Sequence, residues 1–195
     1  MRCYMPRFLA FLMCIICLLA PAQARETYHE LVVRLSGVGQ QIELAEVEQQ
    51  LFQLANQFRQ SNGLPALARD QAVHAAALAH ATDMLLHNYM GHNASTGQDF
   101  DGRMRALRDG ALVLPSMGEN AARLSHADAG PAQKLFHQWV NSPPHRHTLL
   151  SRDYLKLATG VVSQNGQIYA DQIFIGPEVV TNMQRAAPEG AGTLY

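Results

Sequence analysis

From Leu44 onward, apolar residues return at helical spacing. Leu44, Val47, Leu51, Leu54, Ala55 and Phe58 share one face, and the run stops at SNGLP, with Gly63 as the C-cap and Pro65 behind it. A second helix is expected after Asp70, whose side chain caps AVHAAALAHATDMLLHN. Its stripe of Val73, Ala77, Ala81, Met84 and Leu85 is small enough for another element to come close, and Asn88 ends it. Residues 89–102 are polar and punctuated by glycine, and lead into a short helix around Arg103 to Arg108. Pro131 suits the first position of a helix reaching about Val140, and Ser142 caps a shorter one begun by Pro143. The period then changes. Leu157–Val162 and Gln167–Ile175 are β-rich runs joined by SQNGQ, in which Asn165-Gly166 is a hairpin signal. Helices, an irregular middle and a closing hairpin predict an α+β fold layered around one sheet. Residues 25–43 read as a loosely specified arm and 178–195 as a mobile tail.

The first 24 residues bear on location. Arg2 and Arg7 precede an apolar run from Phe8 to Ala20, and Ala22-Gln23-Ala24 follows, the pattern of a signal peptide cleaved after Ala24. The run is shorter than the roughly 20 residues a spanning helix needs, so no membrane span is expected after cleavage. Neither Cys14 nor Cys17 follows a small residue, as a lipidation site would want. All 3 cysteines fall in this segment, and the rest of the chain has none to pair. A cysteine-free exported chain points to a bacterial periplasmic or secreted protein. Without Arg2 and Arg7 the 15 basic residues drop to 13 against 16 acidic ones, a formal charge of −3. With no cluster of Lys or Arg to neutralise phosphates, nucleic acid is not an expected partner.

Candidate chemistry sits in two stretches, GENAA at 118–122 and SPPHR at 142–146. Gly118 reads as a tight turn that aims the Glu119 carboxylate, with Asn120 bracing it. His145 takes the third position of a helix opened by Ser142-Pro143, where the positive end of the dipole disfavours imidazolium. The neutral ring is the form that binds metal. No HExxH pair and no GxSxG elbow occurs, and Ser142 and Ser95 lack the context of an activated nucleophile. His80 and His87, like His74, His126, His137 and His147, read as non-functional positions, the last four at the surface or its boundary. Phe136, Trp139 and Phe174 read as core, and so do Met84, Met90, Met104 and Met117.

Taken in order, LFQLANQFRQSNGLPAL, YMGHNASTGQDFDGRM, GENAA, WVNSPPHRHTLLSRDYLKLATGVV and YADQIFIG resemble the CAP superfamily: cysteine-rich secretory proteins, antigen 5 and plant pathogenesis-related proteins, here in the disulfide-free bacterial branch. The resemblance implies a domain over 44–177 built as an α-β-α sandwich with a central antiparallel sheet and an open cleft. It assigns His92, Glu119 and His145 to that cleft, with Asn120 and Ser142 as supports. Animal members place a second glutamate three residues after the helix tryptophan, where this chain has Ser142. Two imidazoles and one carboxylate still make a partial Zn²⁺ shell, with His92 and His145 as ligands and Glu119 as the candidate catalytic group. Three functions stay open, because fold does not choose among them. One is an exported binding module for a metal, a lipid-like small molecule or an envelope component. Another is a Zn-assisted hydrolase of peptide, ester or cell-envelope substrates. The last is a polar cluster that only holds the fold. Whether the chain is an enzyme, and its oligomeric state, are not fixed by these residues.

Overall fold

The structure, a computed structural model, describes residues 28–108, 115–125 and 130–177. The expected signal peptide, the expected tail and His126 lie outside the described residues. The elements are α1 (Tyr28–Gly39), α2 (Ala45–Ser61), β1 (Ala68–Arg69), α3 (His74–Leu86) and α4 (Phe100–Leu107), then β2 (Met117–Ser125), α5 (Pro131–Asn141), α6 (Pro143–Leu149), β3 (Lys156–Gln164) and β4 (Gln167–Ile175).

The sheet has the order β1-β3-β4-β2. Strands β3 and β4 form the expected antiparallel hairpin, turned by Asn165 and Gly166 at φ 51 and 75. Antiparallel β2 lies on the far side of β4, and the two-residue β1 runs parallel to β3. Residues paired across strands share a face. The register therefore turns Glu119, Ala121, Asp171, Ile173 and Val162 one way and Asn120, Ala122, Gln172, Phe174 and Val161 the other. The first face is covered by α3, with α1 and α4 packed alongside, and the second by α2, α5 and α6. This is the α-β-α sandwich implied by the resemblance. Trp139 and Phe174 are fully buried in the second layer, where the indole N–H donates to the Ala121 carbonyl at 3.1 Å.

Two features fix how the layers meet. At Gly160 on β3 there is no room for a side chain, since a Cβ would lie 2.5 Å from the Ala77 carbonyl carbon and the Leu78 Cα. The small-residue stripe of α3 thus rests on strand backbone. In the other layer Arg59, 0% exposed, ends α2 by donating to the carbonyls of Pro65 (3.0 Å), Leu149 (2.9 Å) and Ser151 (2.7 Å). It ties the end of α2 to the exit of α6.

Three local expectations are corrected. Most of the stretch read as a loose arm is α1, whose Tyr28, Leu31, Val32 and Leu35 are buried together with Ala79 of α3. Spacing of three and four was present there, but Gly37 and Gly39 masked it. Gly39 serves contact instead, because a Cβ would meet the Thr82 Oγ1 at 2.6 Å. GENAA is strand rather than turn, and Gly118 has no positive φ. Its missing side chain makes room for the Tyr154 hydroxyl and for Thr148, whose Cγ2 would stand 3.0 Å from a Cβ. Ser142 holds the N-cap position of α6, but its hydroxyl makes no capping bond.

Candidate functional site

His92 belongs to the segment after α3, and buried polar groups hold that segment in place. Asp83, 1% exposed within the apolar face of α3, accepts hydrogen bonds from the Tyr89 hydroxyl (2.6 Å), the Ser95 N–H (2.8 Å) and the Ser95 hydroxyl (2.6 Å). Burial pushes the Asp83 carboxyl up, yet these donors, Ser95 foremost, bring it below its ordinary value. One turn earlier, His80 donates from Nε2 to the Gly91 carbonyl at 2.9 Å, which assigns its proton to that nitrogen. Arg103 of α4 donates from Nη2 to the His92 carbonyl at 2.9 Å. The polar stretch is therefore anchored from three sides.

Glu119 lies at the centre, its side chain 2% exposed. The His92 Nδ1 donates to Oε2 at 2.8 Å and the Arg103 Nη2 to Oε1 at 2.5 Å. Burial alone would raise the Glu119 carboxyl, but the His92 bond and the Arg103 charge hold it below the usual range. The same hydrogen bond raises His92 against its partial burial. His145 faces His92 with ring centroids 6.3 Å apart at 65°. Burial first, and then the His92 charge, lowers the His145 pKa and keeps the ring neutral. Asn120, on the opposite face of β2 from Glu119, donates from Nδ2 to the His145 carbonyl at 3.2 Å. Strand β2 thus brings the His92 segment and α6 together over one edge of the sheet.

Beneath Glu119 lies Asp171, 0% exposed, with no hydrogen-bond partner for either oxygen among the described residues. Ligand atoms of His80, Glu119 and Asp171 fall within 4.8 Å of one another. Burial, and then the Glu119 charge, raises the Asp171 carboxyl well above its ordinary value. The Arg103 charge acts on both carboxylates but bonds only Glu119, so the ionised form is favoured at Glu119 and the protonated form at Asp171. This inner cluster is sealed from solvent and already holds a cation in Arg103.

The arrangement restricts the chemistry. Both Glu119 oxygens are engaged and the carboxylate is a weakened base. His92 exposes half its side chain and His145 is partly exposed, so the imidazoles are the accessible groups. The Ser95 hydroxyl is committed to Asp83. Sequence reasoning passed over Arg103, Asp171, His80 and Asp83. A signal existed for three of them: polar residues set into apolar core-facing runs, His80 and Asp83 in α3 and Asp171 in YADQIFIG.

Residues 52–178 match the family model described as CAP, the cysteine-rich secretory protein family. Two Bacillus subtilis proteins are similar to this chain. The uncharacterized membrane protein YlbC is 34% identical over 114 residues, 58% of this chain and 31% of its own. The uncharacterized protein YkwD is 29% identical over 130 residues, 66% of this chain and 47% of its own. The chain therefore spans less than half of either relative. Among solved structures, an extracellular SCP-domain protein of Bacillus anthracis superposes with a TM-score of 0.56 at 30% identity, covering 68% of this chain and 41% of that one. An outer surface protein of Borrelia burgdorferi shares the fold, with a TM-score of 0.58 at 16% identity over 68% of this chain and 94% of that one. No described helix is long and apolar enough to cross a membrane. Matched over more than half its length by the family model, the chain belongs to the cysteine-rich secretory protein (CAP) family.

Proposed function

We propose that this chain is an exported bacterial binding module, and that its cleft takes up a ligand through His92 and His145 without turning it over. The observation that carries this reading is the state of Glu119. A general base needs a free oxygen and a pKa near the working pH. Glu119 has both oxygens bonded, to Arg103 and to His92, and is held ionised below the usual range. Its geometry suits orienting the His92 ring.

A divalent metal fits this donor set. A carboxylate bonded to one imidazole nitrogen fixes the ring and leaves the other nitrogen for coordination. With Nδ1 of His92 on Glu119, Nε2 is the coordinating atom, and the neutral His145 is the second ligand. A bound Zn²⁺ would supply Lewis acidity and hold a further ligand from solution. Ser142, where animal relatives carry a second glutamate, adds no charge, so that further ligand completes the shell. Export is supported by the signal-peptide pattern at 1–24, and the similar Bacillus anthracis protein is itself described as extracellular. A lipid-like molecule or an envelope component is the alternative occupant of the same cleft.

The test is Zn²⁺ titration by calorimetry on metal-stripped protein. Wild type is expected to lose one equivalent of binding in His92→Ala/His145→Ala, and Glu119→Gln to weaken it by about 10- to 100-fold. Affinity is expected to drop as pH falls through the raised pKa of His92, because the proton competes for the ring. A cleft variant that binds Zn²⁺ like wild type removes the metal reading and directs the search to extracted lipid. Hydrolysis of an ester or peptide substrate that Glu119→Gln abolishes would replace the binding module with the hydrolase.

A further inference from the structure

A second cluster of metal-ligating side chains lies apart from the cleft, at the N-terminal end of α3. Glu43 precedes α2 and is bridged to Val162 of β3, Glu48 sits in the first turn of α2, and His74 opens α3. One ligand atom from each falls within 4.8 Å of the others. The His74 Nε2 is 3.0 Å from the Glu48 Oε2 and 4.0 Å from the Glu43 Oε1. Two ligands at zinc bonding distance in a tetrahedral shell stand about 3.4 Å apart, so small side-chain adjustments would close all three on one ion.

The central ligand is set by its other oxygen. Glu48 is 5% exposed, and its Oε1 accepts the Val161 N–H at 2.7 Å. That bond fixes the rotamer of Glu48, as outer-shell bonds to ligating carboxylates do. It also explains why Glu48 is buried, since β1 is too short to pair Val161. It does not explain why His74 Nε2 meets the remaining oxygen, Oε2, with Glu43 Oε1 brought to the same imidazole nitrogen. A cavity of about 470 Å³ opens onto the three, lined also by Gln49, Arg69 and Gln71. It gives an ion an entry path and room for water, both of which the inner His80–Glu119–Asp171 cluster lacks.

We infer that Glu43, Glu48 and His74 form a binding site for a divalent transition-metal ion, independent of the cleft. Carboxylate oxygen and imidazole nitrogen are both Zn²⁺ donors. Glu43 and Glu48 stand five residues apart at the start of α2, but His74 comes from α3, so no spacing in the sequence announces the set. Arg69, stacked 4.2 Å over the Phe52 ring on the cavity wall, is a second cation there. The open coordination side thus suits water or an anion.

The experiment is a Zn²⁺ titration of the full metal-stripped chain in the His92→Ala/His145→Ala background, which separates this site from the cleft. One equivalent is expected to remain. It should be lost on adding His74→Ala and weakened at least tenfold by Glu43→Gln, whose side chain is not buried and whose replacement keeps the shape. Zn²⁺ should raise the Tm of the background variant and leave that of the His74→Ala triple variant unchanged. If the background variant binds no Zn²⁺, or if Glu43→Gln and His74→Ala leave affinity within twofold, the site is overturned. Should His74→Ala unfold the protein, Glu43→Gln decides the matter alone.

Discussion

Asp171 illustrates how surroundings set the state of a single residue. Its folded pKa is raised, so folding takes up a proton over the interval between the unfolded and folded values. Stability from this group is fully present below the unfolded pKa and is lost as pH rises through the folded one. Asp171→Asn, which cannot ionise, is expected to flatten the decline in urea midpoint between pH 5 and pH 8. A wild-type slope unchanged in the variant would mean that Asp171 is ionised throughout. The triad of His92, Glu119 and His145 was legible in the sequence only through family motifs, because its members come from three segments. Arg103 was not legible at all and Asp171 only as a polar residue in an apolar run, since each acts on Glu119 from a different element. A carboxylate's partners depend on tertiary approach.

Elements with strong periodicity were legible. Helix α2, with its stop at Gly63, and the β3–β4 hairpin, with Asn165-Gly166, lie where spacing and turn chemistry put them. Strand β2 was hidden because GENAARLS has no β-branched residue and pairs through register with β4. Helix α1 was hidden by glycines that serve helix contact. The stripe on α3 predicted a close approach, and Gly160 is where it occurs. Gly160→Ala is expected to cost about 3 kcal/mol or more, because strand and helix backbones must separate to admit one methyl group. Gly166→Ala, where a Cβ meets nothing but φ is positive, should cost about 1 kcal/mol. Urea denaturation of the two variants ranks them, and equal costs would mean that the α3–β3 contact is soft.

Across the whole molecule, the two layers are fastened by different chemistry. On one side of the sheet the fastenings are ionised carboxylates: Asp83 gathers Tyr89 and Ser95, and Glu119 gathers His92 and Arg103. Their folded pKa values are depressed, so their contribution is present above the ordinary carboxylate pKa of about 4 and is lost as pH falls through the folded values. On the other side Arg59 is held by three carbonyls, which do not titrate. Amides of residues 89–95 are therefore expected to lose hydrogen-exchange protection factors on acidification before those of α2 and α5. Simultaneous loss in both layers would contradict this. The clamp at Arg59 thus gives the end of α2 and the exit of α6 a fastening that acid leaves intact, beside an acid-labile rim. Anything held between His92 and His145 would be let go in acid as the His92 side loosens, while α6 keeps its place for rebinding when the pH recovers.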